Sequence, residues 1–466
     1  SYDLIYKDLY SLYGLNTIDG SSVEIFKWDT YYLSGPWIIT IYDVGNYALF
    51  CNYNNEYLLF EEGYEAPKTI IRVATYGYTY LLDWVISEFN RKNETYKVVK
   101  TDYSTYDTNG DGAGLTKLNT EIQAGNVPDV IDFTLIPPKA YEDKGLLTDL
   151  YPLIDSDAEI KRSDLLGPYV KAYEKDGKLS LALMAFIING FIGKSDVVGT
   201  QPGWTLEEMH AVEKTSTDAP GMGGLSRSEA VKKYIGSIYQ NYIDWKTGAC
   251  SFNNESFVNI LDYINTLAEE PDKEKLKAEN VLSGETAFTA ITINNIGQLM
   301  LSERDFGDTE FTIKGYPTGS GNGILLTNTY YPLLGITEAC KDKAGAWGFV
   351  RILFTAYVSD VIGAGLPASK IALDAAVKKA KDEKVWAYRQ DGDDFINIQL
   401  DPATQEQIDR YIALIESCDT CLGRDKTVMD IITEELKPFI AGDKTAEETA
   451  EIIQNRVQTY VYEQKP

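Results

Sequence analysis

An α/β fold of two lobes, preceded by an antiparallel β module, is what the 466-residue sequence predicts, and three observations predict it. Residues 1–65 hold short aromatic and β-branched runs broken by turn signals. From Thr69 onward, strand-like runs alternate with amphipathic helical patterns, the mark of a parallel sheet with helices on its faces. That alternation continues to the C-terminus over about 400 residues, more than one core usually organises.

In the N-terminal segment, Val23–Trp28, Trp37–Tyr42 and Tyr57–Phe60 read as strands, with turns at Asp19-Gly20, Gly35-Pro36, Gly45-Asn46 and Asn54-Asn55. Aromatic and β-branched side chains suit a pleated surface, and Gly and Asn supply the turn conformations. Pro67 marks the boundary. Beyond it, Ile70–Thr75 reads as a buried strand, and Leu81, Leu82, Val85, Ile86 and Phe89 fall on one face of a 3.6-residue period. Strand Tyr96–Thr101, helix Leu115–Gln123 closed by Gly125, and strand Asp129–Phe133 complete a βαβαβ unit. Further helices follow from Phe257, Ile260, Leu261, Ile264 and Leu267, from Phe349, Val350, Leu353 and Phe354, and from Ile408, Tyr411, Ile412 and Ile415. Thr445 and Glu448 have capping-box spacing at the start of the last helix.

Composition narrows the partners. With 43 Lys+Arg against 70 Asp+Glu the formal charge is −27, which opposes nucleic acid and anionic membrane surfaces, because binding phosphates takes clustered cations. Thirty-three Tyr residues suit sugar sites and β segments alike. The longest apolar run, Leu181 to Ile188, is far short of the ~20 residues that span a bilayer. The chain opens at Ser1 without a signal-peptide pattern, which reads as a processed or trimmed form. Five scattered cysteines form no disulfide framework.

Catalytic constellations are scarce. His210 is the sole histidine, on an apparent helix Leu206–Lys214, so a Ser-His-Asp triad or a multi-histidine metal site has no material. Asp107-Thr-Asn109-Gly-Asp111-Gly112 copies the first half of a calcium loop, yet position twelve is Leu118 where a bidentate Glu is needed; a turn joining strand to helix is expected, and no metal or other cofactor is assigned. Cys418 and Cys421 have redox spacing but lie between two helices, leaving a local disulfide or two free thiols. Gly319-Ser-Gly321-Asn-Gly323 lacks the Lys-Ser/Thr of a phosphate loop and reads as a flexible crossing strand.

Six short segments, in order, carry a resemblance. They are Ile70–Tyr78 with Leu118-Asn-Thr-Glu-Ile122-Gln-Ala-Gly125-Asn-Val-Pro128-Asp129-Val130; Gly145-Leu-Leu-Thr-Asp149-Leu150; Gly203-Trp204-Thr205 with Glu207-Glu208; Ala344-Gly-Ala346-Trp347-Gly-Phe349; Gly365-Leu-Pro367-Ala-Ser369-Lys370; and Lys444-Thr445 with Glu447-Glu448 and Gln454-Asn-Arg456. Over Thr69 to Gln464 the chain resembles the extracellular solute-binding proteins of ABC sugar importers, the maltose-binding-like family. Residues 1–62 are similar to part of a β-propeller module.

The resemblance implies two α/β lobes joined by three crossing strands, with ligand in the cleft between them. Open α/β sheets bind ligands outside the carboxyl ends of their strands, which fits. The family's chain path places the crossings near Ala185-Phe186, Thr318–Ile324 and Gly363–Pro367; residues 69–185 and 325–362 then form the first lobe, 186–324 and 363–466 the second. It also implies an oligosaccharide ligand, a permease partner, a monomer, no enzymatic turnover, and an extracellular, lipid-anchored location. Sugars need aromatic faces and planar polar groups. Candidates at strand ends and crossings are Tyr76, Tyr78, Asp132, Phe186, Asn189, Asn322 and Arg424. Trp204, Trp245 and Trp347 read as structural, and a ligand-sensing module or a glycoside hydrolase are the alternatives from other classes.

Overall fold

The computed structural model describes residues 4–7, 11–27, 38–43, 47–52, 57–61, 68–108, 112–217, 221–270, 273–328, 330–391 and 394–463. The expected turns at Gly35-Pro36, Gly45-Asn46 and Asn54-Asn55, the boundary residue Pro67, and Asn109–Asp111 of the acidic loop lie outside the described residues.

The N-terminal segment forms two three-stranded antiparallel sheets, Leu4–Lys7, Ser11–Leu15 and Ser22–Lys27 in one, Ile38–Asp43, Tyr47–Asn52 and Tyr57–Glu61 in the other. In the first, Tyr6 stacks on Tyr13 at 5.1 Å between ring centroids, and its hydroxyl lies 2.8 Å from Ser22 Oγ. The Asp19-Gly20 turn closes with Gly20 at φ +72°, a value that favours glycine.

The first-lobe sheet has the order Tyr96–Asp102, Thr69–Thr75, Val130–Asp132, Leu333–Ile336, Ala182–Leu183. Its first three strands are parallel, as the βαβαβ pattern requires, and Leu333–Ile336 inserts antiparallel beside Val130–Asp132. Helix Tyr80–Lys92 buries Leu81, Leu82, Val85, Ile86 and Phe89, the predicted stripe. Asn90 ties that helix to the sheet by accepting from Val98 N–H at 2.6 Å and donating to Val98 C=O at 2.9 Å. A buried amide with both ends paired fixes register where an apolar side chain would slide.

The second-lobe sheet is organised around Ala185–Lys194, which pairs antiparallel with Phe288–Ile293, Phe311–Lys314, Leu325–Thr327 and Leu366–Pro367; Thr420–Cys421 joins parallel to Leu325–Thr327. On one face Phe191 packs against Phe288 and Tyr316, with centroids 5.5 and 4.9 Å away. Helices Glu255–Thr266, Lys426–Ile440 and Ala446–Glu463 complete that core, and the Thr445 and Glu448 capping box forms, at 2.9 and 3.2 Å.

Three passages join the sheets. The first runs through Met184, between Ala182–Leu183 in one sheet and Ala185–Lys194 in the other, and the third pairs Leu366 and Pro367 with Phe186 and Ala185. The second passage corrects the sequence reading. Leu325–Thr327 still belongs to the second-lobe sheet, and the chain reaches the first only at Leu333. Gly319–Gly323 is instead a tight loop inside the second lobe, because Asp419 accepts the successive N–H groups of Asn322 and Gly323 at 2.6 and 2.9 Å. Its glycines, at φ between +65° and +76°, shape that loop and are no hinge.

Candidate functional site

At the carboxyl end of strand Val130–Asp132, Asp132 meets the chain that returns from the second-lobe sheet at Leu333. After Thr75 the chain turns through Gly77, at φ +88°, whose N–H donates to Asp102 at 2.9 Å; a Cβ there would sit 2.9 Å from Leu135 Cδ1. This turn separates Tyr76 and Tyr78, both partly buried. The Tyr76 hydroxyl donates to Asp107, whose other oxygen accepts the Gly114 N–H at 2.6 Å. The Tyr78 ring lies 5.8 Å from the Lys100 ammonium. Tyr80, at the first turn of the following helix, is 41% exposed. The Tyr76, Tyr78, Tyr80 alternation is visible in the sequence, but Tyr80 merges there with the helical run.

Other predicted residues have structural partners. Asp132 is buried and accepts from Thr134 N–H and Oγ1 at 3.1 and 2.5 Å, and from Thr79 Oγ1 and Leu333 N–H at 3.4 Å each. Burial pushes its carboxyl above the usual range, against these lowering hydrogen bonds. Phe186 is fully buried in the first passage. Asn189, also buried, donates to Thr327 Oγ1 and accepts from Thr292 Oγ1 at 3.1 Å, joining three strands of the second sheet. Asn322 donates its side-chain amide to Ser417 C=O at 3.1 Å. These four thus hold the passages and loops instead of presenting free groups: a strand-end residue deep in a passage is enclosed by both sheets.

Arg424 lies where the lobes meet. It follows strand Thr420–Cys421, and its Nη1 reaches Glu142 Oε1 of the first-lobe helix Lys139–Asp143 at 3.1 Å. Its guanidinium also lies 5.1 Å from the Tyr173 ring centroid. Beside it, Lys139 Nζ is 3.7 Å from Asp425 Oδ2 and 4.6 Å from the Trp245 ring centroid. Asp425 is fixed by helix capping: it accepts from Val428 N–H at 3.2 Å and from the Tyr460 hydroxyl at 3.1 Å. Two cation–carboxylate pairs and two cation–π contacts therefore bridge the lobes. Trp245 is 36% exposed at this junction, whereas the sequence reading made it structural; its place opposite Lys139 has no local signal. Trp204 and Trp347 are buried, with indole N–H groups donating to Gly315 C=O at 2.7 Å and Asp157 Oδ2 at 2.8 Å.

Among the described residues no three His, Cys, Asp or Glu side chains gather as metal ligands. Of the two states left open for Cys418 and Cys421, the structure has the free thiols, and burial pushes both thiol pKa values up, away from the reactive thiolate.

No family model matches the chain, and no curated protein sequence matches it. Solved structures do. The chain is similar to the sugar-binding protein MalE from the phytopathogen Xanthomonas citri, with 14% identity and a TM-score of 0.54 over 85% of this chain and 98% of that one. It is similar to a cyclic α-maltosyl-1,6-maltose binding protein from Arthrobacter globiformis, with 14% identity and a TM-score of 0.51 over 85% and 100%. A de novo designed cysteine esterase, ECH19, matches with 16% identity and a TM-score of 0.51 over 85% and 98%. At these identities the likeness shows the fold, the two-lobe α/β fold of periplasmic binding proteins, and one scaffold serves both binders and a designed catalyst.

Proposed function

We propose that this protein binds an oligosaccharide in the cleft between its lobes, outside the cytoplasmic membrane, and delivers it unchanged to the permease of an ABC importer. The observation that carries the reading is the junction itself: helix Lys139–Asp143 of one lobe meets Arg424 and Trp245 of the other across aromatic and charged groups, in a fold shared with MalE. Tyr76, Tyr78 and Trp245 would offer ring faces to the C–H sides of sugars, and Lys139, Glu142 and Arg424 hydrogen-bonding groups to hydroxyls. The sheet pairings support lobes of 69–183 with 333–362 and of 184–332 with 363–466, moving about the three passages. Action as a monomer and lipid anchoring at the cell surface come with the family resemblance and belong to the same proposal.

Calorimetry against a panel of linear and cyclic oligosaccharides tests this. One class should bind saturably, and at 100 times its dissociation constant should stabilise the fold by about 2.7 kcal/mol. Conversion of the bound sugar would overturn the non-enzyme reading. Failure of every sugar would overturn the ligand class.

A further inference from the structure

The second lobe contains a cavity that shares no lining residue with the junction. It has a volume of about 1150 Å³ and lies between helices Leu206–Glu213 and Glu255–Thr266, with Tyr234 and Tyr242 among its lining residues and the turn Pro317–Gly319 at one edge. Three features of its lining point the same way. Glu207, Glu213, Glu255 and Asp262 face it against a single cation, Lys214. Tyr263 presents a ring there, its hydroxyl donating to Glu213 Oε1 at 2.8 Å; the same oxygen accepts the Met222 N–H at 2.6 Å. The ring of His210 stands edge-on to Tyr263, with centroids 4.2 Å apart, so the two rings line the cavity together.

We propose that this cavity is a binding site for a small organic cation, an amine carrying apolar or aromatic carbon, separate from the interlobe cleft. A net negative lining raises the local concentration of cations. A ring face adds cation–π attraction once the ligand is desolvated. Burial and neighbouring Lys214 lower the His210 pKa, so the ring adds no second cation to the lining. The occupant is therefore selected by charge, with carbon against the tyrosines.

His210 is the only histidine in the chain, so its ring gives a single, unmistakable NMR signal in the intact protein. Benzylammonium, benzyl alcohol and benzoate form an almost isosteric series differing in charge. Benzylammonium should shift the His210 signal saturably and bind at least tenfold more tightly than benzyl alcohol, and benzoate should not bind. Glu213→Gln, which keeps an acceptor for Met222 and Tyr263, and the more exposed Asp262→Asn should each weaken that binding severalfold. Glu142→Gln at the junction should leave it unchanged, which separates failure here from failure of the sugar-binding reading. Equal shifts from all three probes, a shift that rises linearly without saturating, or affinity unaltered in both cavity variants would overturn the proposal and leave only the ion atmosphere of an acidic protein.

Discussion

Glu142→Gln tests the ionic bridge between the lobes with the smallest steric change. Glu142 and Arg424 are 3.1 Å apart, with side chains 7% and 24% exposed. At an effective dielectric constant of about 20 their gross attraction is about 5 kcal/mol. Taking both groups out of water cancels most of it: exposed pairs retain about 0–1 kcal/mol, and close pairs at interfaces retain more. Opening the cleft returns both groups to water, so only the net term is lost, and the amide still accepts a neutral hydrogen bond from Arg424. The expected cost to closure is therefore about 1.4 kcal/mol, a tenfold shift toward the open form. Its signature depends on the resting state. If the ligand-free protein is mostly open, the sugar dissociation constant rises about tenfold. If it is mostly closed, affinity holds but the association rate rises about tenfold, because entry needs the open form. Solution scattering of the ligand-free protein at low and high salt identifies the regime, and the variant should lose part of the wild-type salt response. Unchanged scattering, association rate and dissociation constant together would refute the bridge as a determinant of closure.

Asp157, which accepts from Arg351 Nε at 2.7 Å and Trp347 Nε1 at 2.8 Å, has its carboxyl held well below the usual range, with its hydrogen bonds to Arg351, two backbone N–H groups and Trp347 outweighing burial. Because the folded pKa lies below the unfolded one, this stabilisation is present above about pH 4 and lost as pH falls below it; Asp157→Asn should cost on the order of 2 kcal/mol at pH 7 in urea unfolding and flatten the acid limb. Gly323→Ala would place a Cβ 2.0 Å from Tyr316 O at φ +65°, and should cost about 2–4 kcal/mol in the same assay, whereas Gly319→Ala, with nothing within 4 Å, should cost about 1 kcal/mol. An aromatic disulfide reagent should leave Cys418 unmodified in the native protein and modify it on unfolding, since its thiol is buried; rapid native labelling at Cys418 would contradict the packing.

Local periodicity made much of the fold legible. The stripe from Leu81 to Phe89, the strand before it and the Thr445 cap are dictated within a few residues of sequence, and each forms where expected. Long-range pairing is what sequence spacing does not carry. Gly319–Gly323 looks like a hinge because glycines permit rotation, yet Asp419, almost a hundred residues later, fixes it by two hydrogen bonds. The site divides the same way. Tyr76 and Tyr78 follow from a strand end, while burial of Asp132, Phe186 and Asn189 depends on both sheets closing around them. Trp245 gains its place only because Lys139 comes from the other lobe.

The first-lobe sheet is knitted from segments far apart in the chain. Leu333 N–H reaches Asp132 Oδ1, and Tyr331 C=O reaches Thr134 Oγ1, across separations of 201 and 197 residues. During synthesis, at roughly 5–20 residues per second, strand Val130–Asp132 waits on the order of 10–40 s for its neighbour to emerge. Until then the sheet lacks its fourth strand, and closing so long a loop makes the lobe slow to form. Until Leu333–Ile336 has been made, the lobe stays open beside Val130–Asp132, and that unpaired edge is where a holding chaperone would find it.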